Sequence, residues 1–466
     1  MSTRARPSSP VDPPEPRVVV VVIDGLPVEL LEHELPNLPF LAGRTPHRTT
    51  AVSCFPSTTG PAYFPLLAGV TPGRANIPGI RWFDRTRETH SRFPHRGLRS
   101  YVGPDAGKMQ SDTAAETVFA RHAWPASTPV NKDSPKAREK SRDLLWVLAH
   151  FFETWDWADR RTAWKLGRGL GKGRPIVFAV FPSVDEYGHV LGLEDARPAE
   201  ALRTIDELLA EKLADFGGEV LVTADHGLTG THTHLDLREL VEERVGSTLA
   251  FPLTTRPDPA AVVCESGNAF ANVYLRGPVD WKGRPPVDDC GRLAQELAAI
   301  EGIDSVAWRG ERDGEAMMLV GGRHGRCGFR PDGLFQQGEA FASEFAALAP
   351  PEALEASAEE ESPDAAFALS SLFASERAGD LLVSASVGFD LRGKAEWPEH
   401  HASHGALHRA HTVVPVLSSA ELPARPLRTL DVFGEMLELA GIEPAEYGVS
   451  DTVRIADGAW SPGVVR

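Results

Sequence analysis

Three strongly apolar, β-branched runs in this chain give way to the same kinds of residue, and that repetition limits the folds open to it. Arg17 to Ile23 runs straight into Asp24-Gly25, Ile176 to Phe181 is followed by Asp185 and His189, and Glu219 to Thr223 by Asp225-His226-Gly227. Strands that are apolar throughout, without in-and-out alternation, belong to a sheet covered on both faces, which is the parallel α/β arrangement. Ligands of such sheets bind beyond the carboxyl ends of the strands. Three strands that release acidic or imidazole side chains at that end therefore predict one convergent site. Helices are expected between them. Ala199 to Leu213 places Leu202, Ile205, Leu209 and Leu213 on one face, and Leu427 to Leu439 has similar spacing and stops at Gly441, a residue suited to ending a helix.

Two long stretches do not fit this alternation. Residues 86–173 separate the first two ligand-bearing strands and include a tryptophan-rich helical segment around Leu144 to Trp164. Residues 238–377 follow Asp225-His226, and their acidic, Ala/Ser-rich portion Ala353 to Asp364 reads as solvated or loop-like. Both are expected as insertions that cap the active edge of the sheet, the second large enough for a small cap subdomain. The organisation that follows is a polar, proline-rich, disordered lead over 1–16 and a single catalytic domain over 17–466. Trp146, Trp155, Trp157 and Trp164 are read either as core or as an apolar wall facing a substrate.

Charge and cysteine content exclude several classes. With 48 basic and 65 acidic residues the chain carries a net charge of −17, which repels nucleic-acid backbones, so no nucleic-acid polymer is expected as partner. The longest purely apolar run, Val18 to Ile23, is far short of the roughly 20 residues that span a bilayer. The first 16 residues contain no apolar stretch of the signal-peptide kind. Cys54, Cys264, Cys290 and Cys327 are scattered without CxxC spacing, which points away from a disulfide framework or a thiolate zinc site and towards a cytoplasmic setting.

Each element of the site has a plainer reading. Asp24-Gly25 is also a turn signal. Asp185 and His189 are four apart, with Gly188 allowing a sharp turn, and can present both side chains to one cation, but a surface pair would look the same. Asp225 can be a helix N-cap with an incidental histidine beside it. His404-Gly405 lies among His400, His401, His408 and His411, any of which could be a ligand. The run Ser57-Thr58-Thr59 can be a helix cap, whose exposed N–H groups would also suit a phosphate oxygen.

Taken in order, Asp24, the segment Cys54-Phe55-Pro56-Ser57-Thr58-Thr59-Gly60-Pro61, Asp185-x-x-x-His189, Ala224-Asp225-His226-Gly227 and His404-Gly405 resemble the alkaline phosphatase superfamily, and within it the type I phosphodiesterase/nucleotide pyrophosphatase group. Ala68-Gly69, Pro72, Thr429-Leu430-Asp431-Val432 and Leu439-Ala440-Gly441-Ile442 extend the likeness, while the two insertions lie outside it. The resemblance implies an α/β fold with an alkaline-phosphatase-like core, a central mostly parallel sheet flanked by helices. It also implies two divalent metal ions, one held by Asp185, His189 and His404, the other by Asp24, Asp225, His226 and the oxygen of Thr59. Mixed imidazole and carboxylate ligands suit zinc, with manganese or iron as alternatives. Thr59 is then the nucleophile, forming a phosphothreonine intermediate, and the expected substrate is a small-molecule phosphate ester or anhydride.

Cys54-x-Pro56-Ser57 is also similar to the sulfatase motif, in which a cysteine becomes formylglycine. Threonine at 58, where that motif has arginine, and the distance to Ala68-Gly69 favour Thr59, with Thr58 and Ser57 as neighbouring hydroxyls. The segment after Thr59 departs from the nucleotide pyrophosphatase pattern Phe-Pro-Asn-His-Tyr, reading Gly60-Pro61-Ala62-Tyr63-Phe64 before Pro65. Arg81, Asn76 and Gly60 are the candidates for substrate contact, Arg81 being equally suited to an ion pair with Asp84 or Asp24, and His232 and His234 either line the site or lie at the surface. The expected activity is diester or pyrophosphate hydrolysis. Phosphomonoesterase, phosphonate hydrolase, sulfatase and a non-catalytic metal-binding protein are the alternatives.

Overall fold

A computed structural model describes residues 17–87, 97–100, 112–113, 115–121, 154–250, 258–312, 315–322, 325–329, 335–338, 350–393 and 399–443. Its central sheet is built from β1 (Val18–Ile23), β2 (His47–Val52), β3 (Ile176–Phe181), β4 (Glu219–Thr223), β5 (Val413–Ser418) and β6 (Leu427–Arg428). The order across it is β6-β2-β5-β4-β1-β3. β1 lies parallel to both β3 and β4 in a register that pairs Val22 with Val180 and Thr223. Every residue of β1 and β3 is buried, which is why neither alternates in polarity. β5 runs antiparallel to β4 and β2, so the sheet is mostly rather than wholly parallel.

Helices cover both faces. α1 (Tyr63–Ala68) and α5 (Thr429–Ala440) pack together, and α2 (Trp155–Leu170), α3 (Ser183–Leu191) and α4 (Ala196–Leu213) form a second layer. α4 starts three residues before the expected Ala199, because the Asp195 carboxylate accepts the Arg197 N–H at 2.9 Å and caps the helix there. α5 ends as expected at Gly441, whose φ of 68° suits a residue without a Cβ. The tryptophan-rich segment becomes α2 from Trp155 onward, whereas the expected helical residues 144–153 lie outside the described part. Part of the acidic stretch Ala353 to Asp364 is helical rather than loop, over Pro350–Ser357, with Leu354 buried.

A second sheet is formed by residues between 248 and 385. Its eight strands follow the order Phe335–Gly338, Gly325–Phe329, Glu315–Gly322, Ile303–Arg312, Leu381–Ala385, Phe270–Leu275, Ala261–Ser266 and Thr248–Ala250. All pairs are antiparallel except the last, and the helix Val287–Ala298 buries Cys290, Leu293, Ala294 and Leu297 against it. The turn Gly267-Asn268 of this sheet reaches the central-sheet loops, where Asn268 forms an isolated bridge with His404. No helix among the described residues is long and apolar enough to cross a membrane.

Candidate active site

The site forms where β1, β3 and β4 end. Asp24 follows β1 directly, Asp185 and His189 sit one helical turn apart on α3, and Asp225-His226 follow β4. Asp185 and His189 approach at 3.5 Å between Oδ2 and Nε2, and His226 Nε2 lies 3.6 Å from Asp24 Oδ1 and 3.5 Å from Asp225 Oδ2. His404 arrives on the loop before β5 and stacks on His226, with ring centroids 3.7 Å apart. The chain comes this close because Gly25, at φ 63°, has no Cβ: one placed there would meet Asp185 Oδ1 at 2.4 Å.

Thr59 differs from its neighbouring hydroxyls. Its Oγ1 donates to Asp24 Oδ1 at 3.1 Å and lies 2.9 Å from His226 Nε2. Ser57 Oγ is fully buried and donates to the Ala406 carbonyl, and Thr58 is fully buried as well. The Cys54 Sγ donates to Pro56 O, and burial pushes its thiol well up from its ordinary pKa, which opposes a thiolate nucleophile. The cap reading of Ser57-Thr58-Thr59 does not hold, since α1 begins four residues after Thr59 and its N-cap is Ala62.

The donor set fits divalent cations. Each of the three histidines has its Nδ1 at a backbone carbonyl: His189 at Ala402 O (2.8 Å), His226 at Gly227 O (3.0 Å) and His404 at Ser57 O (3.0 Å). A carbonyl only accepts, so Nδ1 carries the hydrogen and Nε2 keeps its lone pair, the arrangement that orients imidazole ligands to a metal. Asp185 Oδ1 and Asp225 Oδ2 are buried without a hydrogen-bond partner, a costly state that a cation would relieve. Burial raises the Asp185 carboxyl above its usual range, and burial followed by the charges of His226 and His189 holds His404 well below 6.5. Two groups have ligand atoms within 4.8 Å of one another, Asp185, His189 and His404, and Asp24, Asp185 and His226. Asp185 thus reaches both. Asp225 adds its Oδ2 beside His226, while its Oδ1 accepts the N–H groups of Gly25 and His226.

The other candidates are placed elsewhere or differently. Of the histidine cluster, His404 is the one in the ligand groups; the His400 ring lies 4.6 Å from that of His189, and His408 caps a four-residue helix by accepting Ala410 N–H. His411 is buried, receives Ala406 N–H on Nδ1 and meets Thr229 Oγ1 at 2.7 Å through Nε2. It thereby ties the His404 loop to the segment after His226. Gly60 adopts φ 95° in the turn after Thr59. Asn76 Oδ1 accepts Ser375 Oγ at 2.7 Å, and the Asn76 carbonyl accepts from Arg377 Nη1. Arg81 opens a short strand beside Ala261–Ser266, and Asp84 pairs with Arg87 and Arg377. His232 is exposed, and His234 bonds to Asp390 and Arg392. Sequence reasoning missed Gly267, where a Cβ would strike the His404 ring at 2.5 Å, and Asn268, whose Nδ2 contacts His400 Nδ1 at 3.0 Å. A Gly-Asn turn was the signal available, but nothing local links it to a histidine some 140 residues on.

This constellation gathers carboxylates, imidazoles and one hydroxyl at the carboxyl edge of an α/β sheet. Residues 18–298 match the family model of type I phosphodiesterase / nucleotide pyrophosphatase, and the chain belongs to that family. A curated relative, an uncharacterized pyrophosphatase/phosphodiesterase of Schizosaccharomyces pombe, is 23% identical over 246 residues, 46% of this chain and 45% of the relative. The chain therefore aligns with a little under half of that relative's length. Among solved structures, phosphonoacetate hydrolase from Sinorhizobium meliloti in complex with phosphonoacetate superposes with a TM-score of 0.58 at 18% identity, covering 92% of this chain and 97% of that one. Murine ectonucleotide pyrophosphatase / phosphodiesterase 5 superposes with a TM-score of 0.55 at 12% identity, covering 91% and 95%. These likenesses establish the alkaline-phosphatase-like fold.

Proposed function

We propose that this chain is a metal-dependent phosphoester hydrolase that cleaves phosphodiester or pyrophosphate bonds of small molecules, with Thr59 as nucleophile. The observation that carries the reading is the Thr59 hydroxyl, which donates to Asp24 Oδ1 and lies 2.9 Å from His226 Nε2, inside a cluster of imidazoles and unpartnered carboxylate oxygens. Asp185, His189 and His404 would hold one cation and Asp24, Asp225, His226 and Thr59 the other, with Asp185 in reach of both. Zinc suits this donor set, manganese being the alternative. Two such ions, when bound, would supply Lewis acidity for an in-line displacement at phosphorus.

Thr59 Oγ1 gives up its hydrogen and forms the new bond to phosphorus as the bond to the leaving oxygen breaks; the proton ends on that oxygen, released as an alcohol or phosphate, and the phosphothreonine keeps the other ester group. Water then cleaves the phosphothreonine and regenerates the hydroxyl. Asp24 orients the Thr59 hydroxyl in the ground state, and the carbonyls of Ala402, Gly227 and Ser57 keep the three imidazoles in one tautomer. Arg81 and Gly60 remain proposed substrate contacts. Asn76 is a weaker one, given its bond to Ser375. The same reading takes 17–466 as one catalytic domain capped by the insertions at 86–173 and 238–377, in a cytoplasmic setting. The decisive assay compares initial rates on bis-p-nitrophenyl phosphate and p-nitrophenyl phosphate with added zinc or manganese; a strong monoester preference sinks the diesterase assignment.

Phosphonate hydrolysis is the second reading. It is supported by the altered sequence Gly60 to Pro65 and by the likeness to a structure bound to phosphonoacetate. Phosphate release from phosphonoacetate, exceeding that from either nitrophenyl ester, would move the assignment there.

A further inference from the structure

Helix α2 carries a surface feature that the hydrolytic site does not use. It buries Trp155, Ala158, Thr162, Ala163 and Leu166 against the core, yet leaves Trp157 43% and Trp164 47% exposed on the opposite face. Among the residues whose burial is described, no other tryptophan, tyrosine or phenylalanine is so exposed. Around these indoles are Arg160, Arg161, Lys165 and Arg168, followed by Lys172. The two acids of the helix turn inward, Asp159 accepting from Ser183 Oγ and Asp156 from the Tyr187 hydroxyl on α3. The outer face is therefore cationic and aromatic on a chain whose net charge is −17. Like-charge crowding is visible at Lys172, whose ammonium is lowered by burial and then by Arg174 and Arg168.

We propose that this face of α2 docks the enzyme on an anionic lipid surface, with Trp157 and Trp164 in the headgroup boundary and the flanking cations at the lipid phosphates. Indoles beside lysine and arginine favour that boundary, being apolar in body with one polar N–H. Cations near an anionic leaflet each add about fivefold to binding, and the effect ends within a Debye length, so the acidic remainder of the surface does not cancel a local stripe. Single-stranded nucleic acid is the less suited partner. The Trp164 ring is already met by the guanidiniums of Arg168 at 4.8 Å and Arg161 at 5.4 Å, which compete for the face on which a base would stack.

The test is co-sedimentation of the full chain with vesicles of phosphatidylcholine alone and with about one third phosphatidylserine. Binding at least about tenfold tighter to the anionic vesicles, falling as salt is raised, is expected. The double variant Trp157→Ala/Trp164→Ala should lose most of that binding, and Arg168→Gln/Lys172→Gln should lose its salt dependence, both with unchanged rates on a soluble diester as proof of folding. Equal binding to both vesicle types, no binding to either, retained binding in the tryptophan variant, or tighter binding to an oligothymidylate competitor overturns the proposal.

Discussion

The imidazoles of His226 and His404 lie face to face, centroids 3.7 Å apart with 13° between planes, although they come from loops separated by 178 positions. Both rings are buried, and both present Nδ1 to a backbone carbonyl. With both Nδ1 atoms held at carbonyls, the stacked pair turns its Nε2 atoms towards the neighbouring carboxylates, the atoms through which imidazoles coordinate.

The hydroxyls of Thr59 and Ser57 should separate by mutation. Thr59→Ala is expected to lower kcat on a diester by about a thousandfold or more, whereas Thr59→Ser keeps a hydroxyl and retains measurable turnover. Ser57→Ala removes the bond to Ala406 O and should affect stability more than chemistry, by about 1 kcal/mol. Steady-state rates with urea melts distinguish the two outcomes. Full activity in Thr59→Ala would transfer the role to another group.

Because Asp185 reaches both ligand groups, its loss should differ from that of His189. Asp185→Asn is expected to weaken both cations by about ten- to a hundredfold, while His189→Ala should leave one site near its original affinity. Metal content by mass spectrometry after dialysis gives the stoichiometry. Identical losses in both variants would show that Asp185 serves one site alone.

Gly25→Ala should damage the site without unfolding the chain. The added methyl meets Asp185 Oδ1, and φ 63° costs an L-residue about 1–2 kcal/mol. Reduced metal affinity with a Tm only a few degrees lower is the expected pair of readouts. Unchanged metal content would mean that the carboxylate moves aside freely.

His411 offers a pH test outside the ligand set. Burial, then the charges of His408 and His226, lowers it from 6.5 to about 3, so the unfolded chain takes up this proton first. Its contribution to stability is complete above pH 6.5 and is lost progressively as the pH falls from 6.5 towards about 3. The stability difference between wild type and His411→Gln should therefore be smaller at pH 5.5 than at pH 7.5, by about 1 kcal/mol. Urea midpoints at the two pH values measure it, and a constant difference would mean that His411 does not titrate on unfolding.

Much of the core was legible in local sequence. Val18 to Ile23, Ile176 to Phe181 and Glu219 to Thr223 are strands within one residue of the expected bounds, because burial on both faces leaves an unbroken apolar run. His47–Val52 was not legible: its first four residues are exposed or half-buried, and its place beside the antiparallel β5 depends on long-range pairing. The same holds for the eight-stranded sheet, whose central strand Leu381–Ala385 pairs with segments more than 70 residues earlier.

Residue chemistry alone determined that the chain would carry acids and imidazoles at the ends of buried parallel strands, since strand period and apolar content are local properties. Which hydroxyl meets Asp24 and His226, which of five histidines completes the ligand group, and that Asp185 stands between both groups were decided by the tertiary structure. Those choices rest on backbone contacts that no local pattern encodes: Ser57 O holding His404, Ala402 O holding His189, and a side-chain-free Gly25 against Asp185.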